Sequence, residues 1–187
     1  MDILKTTEKL MSMDENTWAR HSNPLSVYTR FSILPLFSLV FASIDVLGWW
    51  TVAALLLVSI WTWLNPRIFP APTNTDNWAS MGTFGERIYL NRHKENLIPR
   101  HHLRMCQIIM TLQLLGIPFW VSSLVTMNCS LLVLSTLWLM FTKTWFVDRM
   151  VWIYQDVKDL NPTYQSWLRT EKQQSLFRKR PDSKTSN

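Results

Sequence analysis

A chain of 187 residues with a net charge of +6 and 48% hydrophobic residues has a mean hydropathy of only +0.01, because apolar blocks alternate with strongly polar ones. That pattern excludes an ordinary soluble domain and points to a membrane protein. Two cysteines, Cys106 and Cys129, exclude a disulfide framework and a cysteine-based metal site. At about 1.5 Å of rise per residue they stand a membrane thickness apart along one predicted helix, so they cannot bridge.

Residues 1–30 are polar and are expected to form a cytoplasmic segment, frayed at its start and then a short interfacial helix or turn. The first apolar run, 31–47, carries Pro35 in its opening turn, where a missing N–H does least harm. Gly48 breaks it. A second span, 49–64, has Trp49 and Trp50 at one end and Trp61 and Trp63 at the other, as indoles do at membrane interfaces. Asn65-Pro66 ends it. The third span, 105–125, contains Pro118 as a predicted kink. The fourth, 129–147, continues as a helix to about Leu160, and Trp138, Trp145 and Trp152 fall on one face of it. Residues 161–187 read as a basic, disordered tail. The expected fold is all-α: four transmembrane helices paired as two hairpins within residues 31–160.

Lys and Arg fix the orientation. Four lie in residues 1–30, six between Arg67 and Arg104 and nine from Lys143 onward, while the short turns near Gly48 and Asn128 carry none. The positive-inside rule places both termini and the 65–104 loop in the cytoplasm, at the inner membrane. A cleavable signal is disfavoured, since about 30 polar residues precede the first apolar run and the next follows after one glycine. Basic charge on that face meets anionic lipid head groups, so no nucleic acid partner is needed to explain it.

The loop is too long for a plain connector. Thr75-Asp76-Asn77 offers a helix N-cap, and Trp78, Met81, Phe84 and Ile88 form a stripe fit to lie on the membrane, so residues 76–95 are predicted to be an amphipathic helix. Three readings of its polar residues stay open. Asp76, Glu86, Arg87 and Arg92 can pair with one another and with Asp148 and Arg149. Alternatively Arg87, Arg92, His93, Lys94, Arg100, His101 and His102 can hold an anionic head group. In the third, Glu86, Asp76 or His93 is a catalytic acid or base, with Arg87 beside it.

No metal or organic cofactor is expected: Pro99 separates His93 from His101, and adjacent His101 and His102 should point in different directions. Within the spans Asp45 and Lys143 are expected to snorkel to head groups, and Ser and Thr to make helix contacts.

Four segments carry a resemblance: His21-Ser-Asn-Pro-Leu-Ser-Val-Tyr-Thr-Arg-Phe31, Trp61-Thr-Trp-Leu-Asn-Pro-Arg-Ile-Phe-Pro70, Asp76-Asn-Trp-Ala-Ser80 with Gly85-Glu-Arg87, and Trp145-Phe-Val-Asp-Arg-Met-Val-Trp152. Over residues 14–157 the chain resembles an uncharacterised family of small prokaryotic membrane proteins, domain of unknown function 6653, with 1–13 and 158–187 as extensions. The resemblance implies a prokaryotic cytoplasmic-membrane protein and brings no activity or catalytic residue with it. The functional expectation is a binding or scaffolding protein whose cytoplasmic face recognises anionic lipid or a protein partner, a second copy included. A membrane enzyme acting on a lipid-like substrate is the alternative.

Overall fold

The structure, a computed structural model, describes residues 14–170 and, at Lys94, the backbone alone. The expected frayed start and the tail beyond Thr170 lie outside the described residues. Among those described there are helices and no strands: α1 (Glu15–His21), α2 (Pro24–Arg30), α3 (Ile33–Ala42), α4 (Ile44–Leu47), α5 (Trp50–Ile68), α6 (Trp78–Leu90), α7 (Arg92–Glu95), α8 (Arg100–Val125), α9 (Cys129–Val157) and α10 (Pro162–Ser166), with a 3-10 turn at Lys158–Leu160. Asp14, Asn23, Asn77, Asn128 and Asn161 open their helices by accepting a first-turn N–H, and Pro24 and Pro162 sit where no N–H is needed.

Four helical stretches are long and apolar enough to cross a membrane: Pro24–Ala42, Trp50–Ile68, Arg100–Val125 and Cys129–Leu160. Only 17–28% of the most apolar window of each is buried, so their side chains mostly face outward, as a lipid solvent allows and water does not. The first stretch begins at Pro24 instead of residue 31, because Leu25, Val27 and Tyr28 extend the apolar run and the turn at 31–32 bends the chain without ending it. The second passes through Pro66 to Ile68. So close to the helix end the proline removes one bond, and Arg67 stacks on Trp63 at 4.1 Å while donating to its carbonyl.

Helix α8 packs along α9, and α3 packs on α5 while also touching α8 and α9. Buried Ser38 joins three of them: its hydroxyl lies 2.9 Å from Thr136 Oγ1 and accepts from Trp120 Nε1 at 2.9 Å. Such bonds matter in a bundle that hydrophobicity does not hold together.

The main hydrophobic core lies towards one end of this bundle, built by Phe84, Ile88, Tyr89, Cys106, Met150, Ile153, Tyr154, Val157 and Tyr164. It corrects two expectations. Helix α6 does not spread its apolar stripe on the membrane; it packs on α9 through Gly82 and Gly85. A Cβ at Gly82 would stand 2.8 Å from Val147 Cγ1, and one at Gly85 would collide with the Met150 carbonyl. The second correction is to the tail, which is ordered as far as it is described. Thr75 N donates to Arg169 O at 2.9 Å, Arg169 N to Thr75 Oγ1 at 2.7 Å, and Trp167 packs on Phe84 and Tyr164. Composition alone suggested disorder, but Tyr164, Trp167 and Leu168 give this short segment enough apolar surface to dock.

Candidate functional site: a charged cavity between helices

The residues from His21 to Arg30 and from Asn65 to Pro70 interlock. Asn23 caps α2 and its Nδ2 donates to Pro70 O at 2.8 Å. Ser26 Oγ donates to Asn65 Oδ1 at 2.9 Å, and Asn65 Nδ2 returns to Thr29 Oγ1 at 2.7 Å. Arg20 holds Arg67 O at 3.0 Å, and Ser80 Oγ reaches Ser22 O at 2.7 Å, tying α6 to the same knot. Buried amides are satisfied pair by pair, which fixes the start of the first span with little freedom.

Arg30 projects from this knot. Its Nε donates to Ser26 O at 3.2 Å, one terminal nitrogen to His21 O at 3.3 Å, and the other to His21 Nε2. Accepting there leaves the imidazole proton on Nδ1, which is buried with no hydrogen-bond partner among the described residues. Burial first, then the positive charges of Arg30, Arg67 and Lys143, hold His21 well below the usual histidine range, so the ring is neutral. Lys143 does not snorkel. Its ammonium turns inward, donates to Arg30 O at 3.2 Å and lies 5.1 Å from the centre of the Phe31 ring.

Arg30, Lys143 and Glu86 share a cavity of about 590 Å³ between α2, α6, α8 and α9, inside the size range of ligand sites. Glu86 acts electrostatically on both cations. The rest of the wall is mostly apolar, with Leu34, Ile117, Trp120 and Leu139 on one side of the charged residues, Val27, Met110, Phe146 and Met150 on the other, and Gln113 among them. On α9 the lining runs from Leu139 to Met150, about 16 Å by helical rise, half of a hydrocarbon core about 30 Å thick. Arg30 has five N–H donors and Lys143 three. Three and one of these are accounted for above, so donors remain for a guest.

Of the candidate site residues named from the sequence, Glu86 alone is in the lining of this cavity. Arg87, next to it, pairs with Glu15 and is sandwiched between Trp167 at 4.7 Å and Trp18 at 5.8 Å. Arg92 lies over Tyr89 and donates to its carbonyl at 2.9 Å. Asp148 does not pair with the loop arginines; it accepts from the indoles of Trp78 and Trp152 at 3.1 and 3.3 Å. Asp76, His93 and Arg100 are exposed, and nothing is described of the Lys94 side chain. Arg30 and Lys143 were missed. The available signal was their position, two long cations at the same end of apolar runs.

His101 and His102 do not point apart: their ring centres are 4.1 Å from each other. With Asp156 they bring three ligand atoms within 4.8 Å. The geometry nevertheless suits a proton better than a metal. Arg149 faces His102 Nδ1 at 3.5 Å, which puts the ring proton on Nε2, aimed at Asp156 Oδ2 2.8 Å away.

A family model described as "Family of unknown function (DUF6653)" matches residues 3–172. No curated protein and no solved structure matches the chain. The matched region is wider than residues 14–157, so the C-terminal segment docked on α6 is part of the family and not an extension. Covering nearly the whole sequence, that match makes this chain a member of the family DUF6653.

Proposed function

We propose that the protein is a multi-pass membrane protein that binds an anionic amphiphile, its head group on Arg30 and Lys143 and its chain along the apolar wall towards Leu139 and Ile117. One observation carries this reading: two cations with spare donors line a cavity whose remaining wall is mostly apolar. A cation held among apolar side chains is expensive unless something pairs with it, and an anionic head group would supply that pairing. The Lys/Arg asymmetry supports placing the start of the first span, the central loop and both termini in the cytoplasm, at the inner membrane of a prokaryotic cell. The exposed side chains of Arg100, His101 and His93 then face the same anionic leaflet.

The test is purification in mild detergent followed by lipid extraction and mass spectrometry. The wild type retains anionic amphiphile, Lys143→Gln loses most of it, and Ile117→Trp, which fills the apolar part and keeps every charge, loses it too. Lipid content equal in all three overturns the reading. A second reading, an enzyme acting on the same amphiphile, is favoured by the carboxylate of Glu86 lying in the cavity. Chemical change of the retained lipid during incubation, abolished by Glu86→Gln, selects it.

A further inference from the structure

We infer that Gln113 reads how the ligand's head is joined to its chain: the cavity selects an amphiphile with an acyl ester, whose carbonyl oxygen accepts from the Gln113 amide, over one with an ether linkage. The inference rests on the amphiphile-binding reading above and deepens it by naming the class of lipid.

Gln113 lies within the span Arg100–Val125 and lines the cavity from α8. Its side-chain amide carries two donors and an acceptor, and among the described residues it has no hydrogen-bond partner. The other neutral polar groups of the lining are engaged within the fold: Thr83 Oγ1 donates to Ala79 O at 3.2 Å, and Trp120 Nε1 to Ser38 Oγ at 2.9 Å. An amide at this depth has no bulk water to turn to, and leaving it unpaired is costly. Polar side chains kept inside a span face a partner or a cavity and mark where a ligand passes.

Register places this amide at the junction of head and chain. Helices α8 and α9 run antiparallel, with Trp138 Nε1 donating to Leu112 O at 2.9 Å and Gly116 so close to Leu139 that a Cβ would stand 2.9 Å from its Cδ2. Gln113 is three residues before Gly116 and Lys143 four residues after Leu139, so the two sit within about 2 Å of one level along the helices. Ile117 and Leu139, along which the chain runs, lie one turn further on. A lipid whose head meets Arg30 and Lys143 therefore brings the first atoms of its chain past Gln113. In an acyl ester those atoms include a carbonyl oxygen, a good acceptor for the amide N–H; in an ether they offer a weaker one. The bond joins neutral groups, so it does not depend on how the charged residues beside it are paired.

The experiment uses the full chain in nanodiscs of a dialkyl phosphatidylcholine, a neutral carrier without ester groups. Two probes compete for binding, dioleoyl phosphatidylglycerol and its dioleyl ether counterpart, which share head and chain and differ in the linkage. The wild type is expected to hold the ester about fivefold more tightly, as one net hydrogen bond allows. With a 13C label on the ester carbonyl, its infrared band should move to lower frequency on binding. Gln113→Met keeps the length and apolar fit of the side chain and removes its donors. It should bring the ratio to one by weakening the ester alone, and return the band to its unbonded position. Equal wild-type affinity for the two probes overturns the inference, and that comparison needs no variant to fold. A ratio and a band unmoved in Gln113→Met overturn the assignment to Gln113. Either result leaves amphiphile binding standing, whereas failure of both probes to bind above the carrier background overturns amphiphile binding itself.

Discussion

Glu86 and Arg87 are neighbours on α6, yet they belong to opposite kinds of charged place. Around Arg87 the chain supplies every partner itself: Glu15 from α1, Trp18 beneath, and Trp167 from the docked C-terminal segment. The space left there is about 90 Å³. Beside Glu86, Arg30 and Lys143 line a cavity of about 590 Å³. The contrast separates a guanidinium used to close the fold from cations that have capacity left over, which charge counting on the sequence cannot do.

The largest effect should come from the element both places share. Gly85→Ala puts a methyl group into the Met150 carbonyl, and since backbone meets backbone no rotamer relieves it. A loss of about 3 kcal/mol is expected, read as a lower Tm in detergent with both the clasp and the cavity disrupted. Gly116→Ala meets only the Trp138 and Leu139 side chains and should cost markedly less. Equal Tm values for the two variants would contradict the close α6–α9 packing.

Next comes the pair that divides the two places. Arg87→Gln removes two aromatic contacts and an ion pair whose acidic partner is 80% exposed; screening leaves little in the ion pair, so about 1–2 kcal/mol is expected, mostly from the stacking. Bound lipid should not change. Lys143→Gln should do the reverse, shedding lipid with a smaller change in Tm. If Arg87→Gln strips the lipid, the clasp belongs to the site after all.

A smaller effect should follow pH. His21 is held neutral in the fold, its pKa depressed by burial and by nearby cations, while unfolded it titrates near 6.5. Its share of stability is therefore fully present above about pH 6.5 and is lost as pH falls towards the depressed value. Thermal denaturation between pH 8 and pH 5 should show this decline, and His21→Gln should flatten it. A slope unchanged in the variant would assign the decline to other groups.

Thiol labelling perturbs least and concerns which leaflet the cavity serves. Cys129 is exposed and Cys106 buried, so a membrane-impermeant maleimide added to intact cells should modify Cys129 alone, as expected if that end of α9 lies outside the cell. Labelling of Cys129 only in inverted vesicles would reverse the orientation and put the central loop on the outer side.

The hydropathy blocks made the all-helical class and the four apolar helices legible, because length and apolarity of a span are local properties of the sequence. Packing was not local. The stripe of Trp78, Phe84 and Ile88 was readable as amphipathic, but whether it meets lipid or protein was decided by Gly82 and Gly85, whose importance shows only against α9. The site was half legible for the same reason. Glu86 stood out beside other polar residues, whereas Arg30 and Lys143, 113 positions apart, meet only because α2 is tied to α5 and α6 by Asn65, Asn23 and Ser80. Lys143 within an apolar run looked like a snorkelling side chain, and nothing in sequence said that it would find the Arg30 carbonyl.

The central claim, that an amphiphile sits between the helices with its chain towards Leu139, is tested most directly by photolabelling. A phosphatidylglycerol carrying a diazirine on its acyl chain is reconstituted with the wild type, irradiated, and the adducts are mapped by mass spectrometry. The account predicts adducts concentrated on Leu34, Ile117, Trp120 and Leu139, depleted in Lys143→Gln. Labelling spread evenly over outward residues such as Val46, Leu57, Leu114 and Leu134, with no enrichment in the cavity and no change in the variant, would contradict it.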